Sequence, residues 1–165
     1  MLWAKVGTSA EAAYRAAVAL YPHHADAEAA WRAVIAADPE HAEAHYSLGI
    51  VLTGRGDKTG AEAAYRTAIA ADPQPGPPHC NLGRLLYERG DKAGAEAAWR
   101  AAITADPEHA GAHGNLGSVL AERGDLAGAA RLFAAAMKIN PSDAGVKANL
   151  QQALRMLKEE EHRKV

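Results

Sequence analysis

Residues 81–107 read NLGRLLYERGDKAGAEAAWRAAITADP, and 34 positions on, residues 115–141 read NLGSVLAERGDLAGAARLFAAAMKINP. The two stretches share Leu-Gly, Glu-Arg-Gly-Asp, Ala-Gly-Ala and a closing Pro in one register. The same register runs through the rest of the chain. Pro39, Pro73, Pro107 and Pro141 each follow Asp or Asn, Leu48-Gly49 joins Leu82-Gly83 and Leu116-Gly117, and Gly56-Asp57 joins Gly90-Asp91 and Gly124-Asp125. Ala61, Ala95 and Ala129 recur likewise, followed by the bulky rings of Tyr65, Trp99 and Phe133. Several independent markers with one period are the signature of stacked repeat units.

Each marker has a mechanical reason. Leu48 with Leu52, Leu82 with Leu86 and Leu116 with Leu120 are i,i+4 pairs, the apolar stripe of a helix. Gly49, Gly83 and Gly117 on that stripe let a partner helix come close, and the aromatic of the second helix fills the gap. Gly56, Gly90 and Gly124 sit where the first helix must end in a left-handed conformation that costs glycine nothing. The Asp after each can cap the next helix. The repeat Pro is expected to stop the second helix and open the next, where its missing N–H does no harm. Every unit therefore reads as a helix, a short turn and a second helix.

These markers resemble the tetratricopeptide repeat family, whose unit is a 34-residue helix pair. The resemblance covers about residues 23–157 and implies an all-α, right-handed solenoid of tandem helix-turn-helix repeats. One departure is systematic: where the family usually places Trp near the start of the first helix, this chain has His45, His79 and His113, then Lys147. The whole chain, 1–165, is expected to be one domain. It comprises an atypical opening helix pair at 8–39, repeats at 42–75, 76–109 and 110–143, and a capping helix at 144–161, about nine helices in all. The opening pair is irregular because Ala10-Glu-Ala-Ala-Tyr14-Arg15 and Ala27-Glu-Ala-Ala-Trp31-Arg32, both of second-helix type, lie only 17 residues apart. The last helix carries Leu150, Leu154 and Leu157 on one face and ends in a charged tail, Lys158 to Lys164, expected to fray.

Composition narrows the function. The chain is 48% hydrophobic with only 5% aromatics, which favours closely packed Ala-rich helices over bulky strands. A net charge of −2 with no run of one sign leaves no basic stripe for nucleic acid and no Lys/Arg face for a membrane surface. Cys80 is the single cysteine, so no internal disulfide forms and a cysteine zinc site has no ligands. No segment reads as a signal peptide or a membrane span, and a cytoplasmic location is expected. No nucleophile–base pair, phosphate loop or paired-carboxylate cleft is visible, so neither catalysis nor a cofactor or metal is expected.

The resemblance places function on the concave side of the stack, lined by the first helix of each pair. Positions offset from the Leu stripe there are Glu43, Tyr46, Ser47 and Ile50, then Cys80, Asn81, Arg84 and Tyr87. Gly114, Asn115, Ser118 and Glu122 follow, then Ala148, Asn149 and Gln152. Asn81, Asn115 and Asn149 recur at the repeat period with Ser47 in the earlier place, although Asn is a mediocre helix-interior residue. A side-chain amide offers donor and acceptor together, which the backbone of an extended peptide needs. The row resembles the asparagine ladder with which some members, those linked to glycosyltransferases among them, grip a peptide main chain. The other reading is that these Asn residues stabilise the junction between repeats.

The candidate peptide-binding set is Ser47, Asn81, Asn115 and Asn149 with Tyr46, Arg84 and Tyr87. The expected partner is an extended segment of another protein. Members that clamp acidic chaperone tails carry Lys and Arg in the groove, whereas Arg84 is the one cation among these positions. A neutral or mildly basic segment fits better. The alternatives are a permanent structural subunit or self-associating assembly protein, a homo-oligomer included, and, more weakly, the recruitment arm of a larger glycosyltransferase-like enzyme.

Three other features have structural explanations. Arg55-Gly-Asp57, Arg89-Gly-Asp91 and Arg123-Gly-Asp125 spell an adhesion tripeptide, but the interhelical turn accounts for Gly and Asp. His41 with His45 and His109 with His113 have metal-binding spacing without a third ligand. Glu62 with Arg66 and Glu96 with Arg100 are i,i+4 ion pairs. Gly111, Gly114 and Gly117 make the third repeat's first helix either soft or open to a ligand backbone.

Overall fold

The computed structural model describes residues 27–163, and the chain divides between Gln74 and Pro75 into two compact units. The part of the opening helix pair before residue 27 lies outside the described residues. The first unit holds α1 (Ala27–Ala37), α2 (Ala42–Gly54) and α3 (Lys58–Ala71). The second holds α4 (Gly76–Glu88), α5 (Lys92–Ala105), α6 (Ala110–Glu122), α7 (Leu126–Ile139) and α8 (Ala144–Arg163). The described residues form eight helices and no strand, and they adopt the tandem helix-pair architecture of a repeat solenoid. Within each pair α2 packs on α3, α4 on α5 and α6 on α7; successive pairs meet through α1 on α2, α5 on α6 and α7 on α8.

The turn inside each pair follows from three residues, Arg-Gly-Asp. Gly56, Gly90 and Gly124 have φ of +80°, +87° and +84°. That conformation turns the next N–H back on the helix: Asp57, Asp91 and Asp125 donate to the carbonyls of Leu52, Leu86 and Leu120 at 3.0, 2.9 and 2.9 Å, the bond pattern of a Schellman closure. The same Asp then caps the following helix, its Oδ1 accepting from the N–H of Gly60, Gly94 or Gly128 at 2.9, 2.8 and 2.8 Å. A Cβ on those three glycines would lie 2.3 Å from an Asp Oδ2, so the cap itself demands glycine there.

The Arg of the triplet is structural too. Arg55 pairs with Glu28, whose second oxygen accepts from Arg32 at 3.0 Å. In the second unit Glu96 lies between Arg100 at 2.5 Å and Arg123 at 2.6 Å. Arg55 and Arg123 thus tie their turns to the second helix of the preceding pair.

The repeat prolines follow the end of the second helix, as expected, but do not open the next one: they stand in the turn between pairs, outside either helix. In all four junctions Asp38, Asp72, Asp106 or Asn140 precedes the proline, and its side-chain oxygen accepts from the N–H two residues on, at 3.3, 3.0, 3.1 and 3.3 Å. An Asx residue followed by Pro is well suited to open a type I turn, because Pro presets φ at the second position. The helix after the turn is capped by His41, His109 or Asp143, each accepting from a backbone N–H at 3.0–3.3 Å. His45 and His113 complete the corner, their Nε2 lying 2.8 and 2.9 Å from the carbonyls of Pro39 and Pro107. The two His pairs therefore serve caps and turns. α4 alone among these starts on Pro75 with no side-chain cap, its first turn occupied by Pro77 and Pro78.

The aromatic-on-glycine packing is as expected. Tyr65, Trp99 and Phe133 are buried, and a Cβ on Gly49, Gly83 or Gly117 would come within 2.5, 2.6 and 2.8 Å of their rings. Trp99 Nε1 donates to the Cys80 carbonyl at 3.1 Å, and Tyr65 Oη lies 3.0 Å from Thr53 Oγ1. The polar handles are thus satisfied inside the core.

The last helix runs to Arg163 and departs from the expectation in the face it covers. Its Leu150 and Leu157, with Val146, pack on the cluster around Phe133 and Ala153, but Leu154 is 52% exposed. Leu52 and Leu86, its counterparts in earlier repeats, are buried. Among the described residues no such helix follows α8, and Gln151 takes the place of the close-approach glycine.

Candidate functional site

The sequence-derived positions separate into several environments. In the first unit Ser47 is buried, and Tyr46 is half-buried with its ring tilted 44° against Tyr65 at 6.1 Å. In the second unit Arg84 is exposed, its guanidinium 3.7 Å from Glu88. Asn81 is half-buried on α4. Cys80 and Gly114, counted as inner-face positions from sequence, are buried. A Cβ on Gly114 would meet Val146 at 3.3 Å, so this glycine serves the approach of α8 to α6.

The asparagine row splits in two. Asn115 donates through Nδ2 to the Cys80 sulfur at 3.9 Å, across the junction between successive pairs. Burial pushes the Cys80 thiol up, outweighing the opposite pull of the Asn115 bond and the Arg84 charge, so it stays a protonated structural thiol. Asn149 has Gly114 where Asn115 has Cys80, and glycine offers no side chain to receive its amide. Asn149 is exposed.

It faces a recess of about 320 Å³ between α6, α7 and α8, lined by Ser118, Ala121, Glu122, Leu126, Phe133, Asn149, Gln152, Ala153 and Met156. Ser118, Glu122, Asn149 and Gln152 are all positions that the repeat offset assigns to the inner face. The apolar floor and Met156, 41% exposed, were not foreseen. Ser118 Oγ donates to the Gly114 carbonyl at 3.1 Å and so faces the recess as an acceptor.

One charged group lines the recess, and it is already engaged. Tyr87 Oη donates to Glu122 Oε1, and Lys92 Nζ lies 2.6 Å from Oε2. The Lys92 hydrogen bond, then that of Tyr87, holds the Glu122 carboxyl below its ordinary range, and the same carboxylate raises Tyr87 and Lys92. The Tyr87 ring leans on Trp99 with centroids 6.0 Å apart. Lys92, the residue that neutralises this edge, sits on the second helix of its pair, where an inner-face register cannot find it.

A tetratricopeptide repeat family model matches residues 23–74 and 80–144. The chain belongs to the tetratricopeptide repeat family. Such proteins are generally non-catalytic repeat scaffolds, and the repeats make this chain a protein-interaction module. No curated protein matches the sequence significantly. Among solved structures, one from a functional characterisation of Pseudomonas aeruginosa pilF is similar with a TM-score of 0.80 and 23% identity, over 94% of this chain and 72% of that one. YrrB, described as a tetratricopeptide repeat protein with an unusual peptide-binding site, gives 0.66 at 23% identity over 80% and 68%. The first such domain of Spaghetti (RPAP3), bound to the HSP90 peptide SRMEEVD, gives 0.67 at 17% identity over 73% and 96%. At these identities the likeness is one of fold. Among the described residues no helix is long and apolar enough to cross a membrane, and no group of three or more His, Cys, Asp or Glu is placed to hold a metal ion.

Proposed function

We propose that this chain, without catalysing a reaction, holds an extended segment of another protein, and that the recess beside Asn149 is where the segment is gripped. One observation carries the reading: Ser118, Glu122, Asn149 and Gln152 converge on one open, apolar-floored recess. Asn149 also lacks the neighbour that engages Asn115. Paired amide donors and acceptors beside apolar surface are what a peptide main chain and its side chains require. Asn81, Arg84, Asn115 and Tyr87 are the other proposed inner-face positions of the second unit, and Ser47 and Tyr46 are the proposed positions of the first. That fold relatives include a protein described by its peptide-binding site and another bound to a peptide supports the same use.

The test starts by selecting binders from a displayed library of random dodecapeptides on the immobilised chain. The double variant Asn149→Ala, Gln152→Ala should lose about tenfold in affinity for selected peptides, ~1.4 kcal/mol, with unchanged helicity. Retained affinity sinks the reading. Asn115→Ala should instead lower thermal stability, since it removes the bond to Cys80.

Leu154 favours a second reading, a permanent subunit or self-associating assembly protein, because an exposed large apolar side chain on α8 can serve a stable contact. Sedimentation separates the two: a stable oligomer that excludes the selected peptides supports assembly.

A further inference from the structure

We infer that the recess between α6 and α8 selects one uncharged aliphatic side chain of the bound segment, of the Leu or Met class, and rejects both acidic and basic ones. This rests on the peptide-holding reading above and names the anchor that the site takes. The occupant follows from charge and shape together. Ala121, Leu126, Phe133, Ala153 and Met156 supply the apolar surface. Met156 is an unbranched, polarisable side chain left largely in water, the kind of surface that adapts to a visiting aliphatic group.

Charge decides against the other occupants. No Lys or Arg lines the recess, so a carboxylate entering it would be desolvated without a partner. Glu122 looks ready to receive a cation, but Tyr87 and Lys92 already occupy its two oxygens. Lys92 already balances the Glu122 charge, so an incoming Lys or Arg must compete with it or remain unpaired beside Phe133. Ser118 has spent its proton on the Gly114 carbonyl, leaving a lone pair for a peptide N–H. Asn149 and Gln152 on the opposite wall can receive the adjoining main chain. At about 320 Å³ the volume lies at the small end of ligand pockets, room for a side chain rather than a folded surface.

The probe is a set of blocked heptapeptides, Ac-Gly-Ser-Gly-Xaa-Gly-Ser-Gly-NH2, with Xaa as Leu, Met, Lys or Asp. They are titrated at millimolar concentration into the full chain carrying labelled methionine methyls and side-chain amides. The Leu and Met peptides should shift the Met156 methyl and the Asn149 and Gln152 amides, with at least about fivefold tighter binding than Lys or Asp, and Met156→Glu should abolish that preference. Equal affinities across the four peptides, or stronger binding by Lys or Asp, overturn the anchor assignment. The same holds for Leu or Met shifts that leave Met156 unmoved. Library peptides that still depend on Asn149 and Gln152 would leave the peptide-holding reading standing in those cases, so the two failures are distinguishable.

Discussion

A methyl group added at Gly117 would lie 2.8 Å from the Phe133 ring, whereas one added at Gly111 meets nothing closer than 3.4 Å. Both residues look alike in sequence, i and i+6 in one helix, and both cost helix stability relative to Ala. Gly111→Ala should therefore raise stability by about 0.5–1 kcal/mol, since neither its backbone nor its surroundings need glycine. Gly117→Ala should lower it by about 1–3 kcal/mol, because the ring has to shift. Chemical denaturation of the two variants checks both signs, and a loss at Gly111 would contradict the room for a methyl group there. Trp99 is the complementary case. Its truncation to Ala removes a buried ring and should cost about 3–5 kcal/mol, and a loss below about 1 kcal/mol would mean that the indole is not wedged against Gly83.

Helix turns were legible in the sequence wherever one residue type serves one job. The left-handed Gly and the capping Asp recur because the same turn recurs, so Gly56-Asp57 and its copies could be placed by register alone. His41 and His109 as caps were not legible, because histidine is no favoured capping residue and the geometry of the Asp-Pro turn supplies the opportunity. The opposite fates of Asn115 and Asn149 were hidden too, since they depend on whether Cys80 or Gly114 faces the amide one repeat earlier. Glu96 belongs to the same lesson: its i,i+4 partner Arg100 could be read off, but Arg123, 27 residues away, could not. Burial tends to raise its carboxyl, yet the bonds and charges of Arg100 and Arg123 win and hold it below the ordinary range. A depressed folded value means that the clasp stabilises above the unfolded carboxylate pKa, about 4.3, and that this contribution is lost as pH falls through the folded value. Glu96→Gln should thus cost about 1 kcal/mol at pH 7, a modest figure because both Arg side chains are largely in solvent, and progressively less as pH falls through the folded value. Urea titrations along a descending pH series decide it; a loss that never shrinks would mean the contribution is packing rather than charge.

In a linear stack each helix is held by its neighbours alone, so stability varies along the chain instead of being shared. Within the second unit the gradient can be read from burial. α5 buries Ala95, Glu96, Ala98, Trp99 and Ala102 and packs on both α4 and α6. α8 fully buries Ala153 alone, leans mainly on α7, and leaves Leu154 and Met156 exposed. Opening α8 therefore uncovers less apolar surface and breaks fewer contacts than opening α5, which exposes the indole and separates two pairs. Hydrogen exchange followed by mass spectrometry should show α8 amides exchanging about a hundredfold faster than those of α5, a gap of ~2.7 kcal/mol in opening free energy. This softness bears on the recess, because one wall of it is α8 and the other is the better-anchored α6. A ligand bridging the two walls adds contacts that only the closed helix can make, so it stabilises the closed form by mass action. Peptides selected for binding should accordingly slow exchange most in residues 149–156, with α5 unchanged. Uniform slowing across the unit would place the ligand elsewhere, and α8 exchanging as slowly as α5 in the free chain would contradict the burial gradient itself.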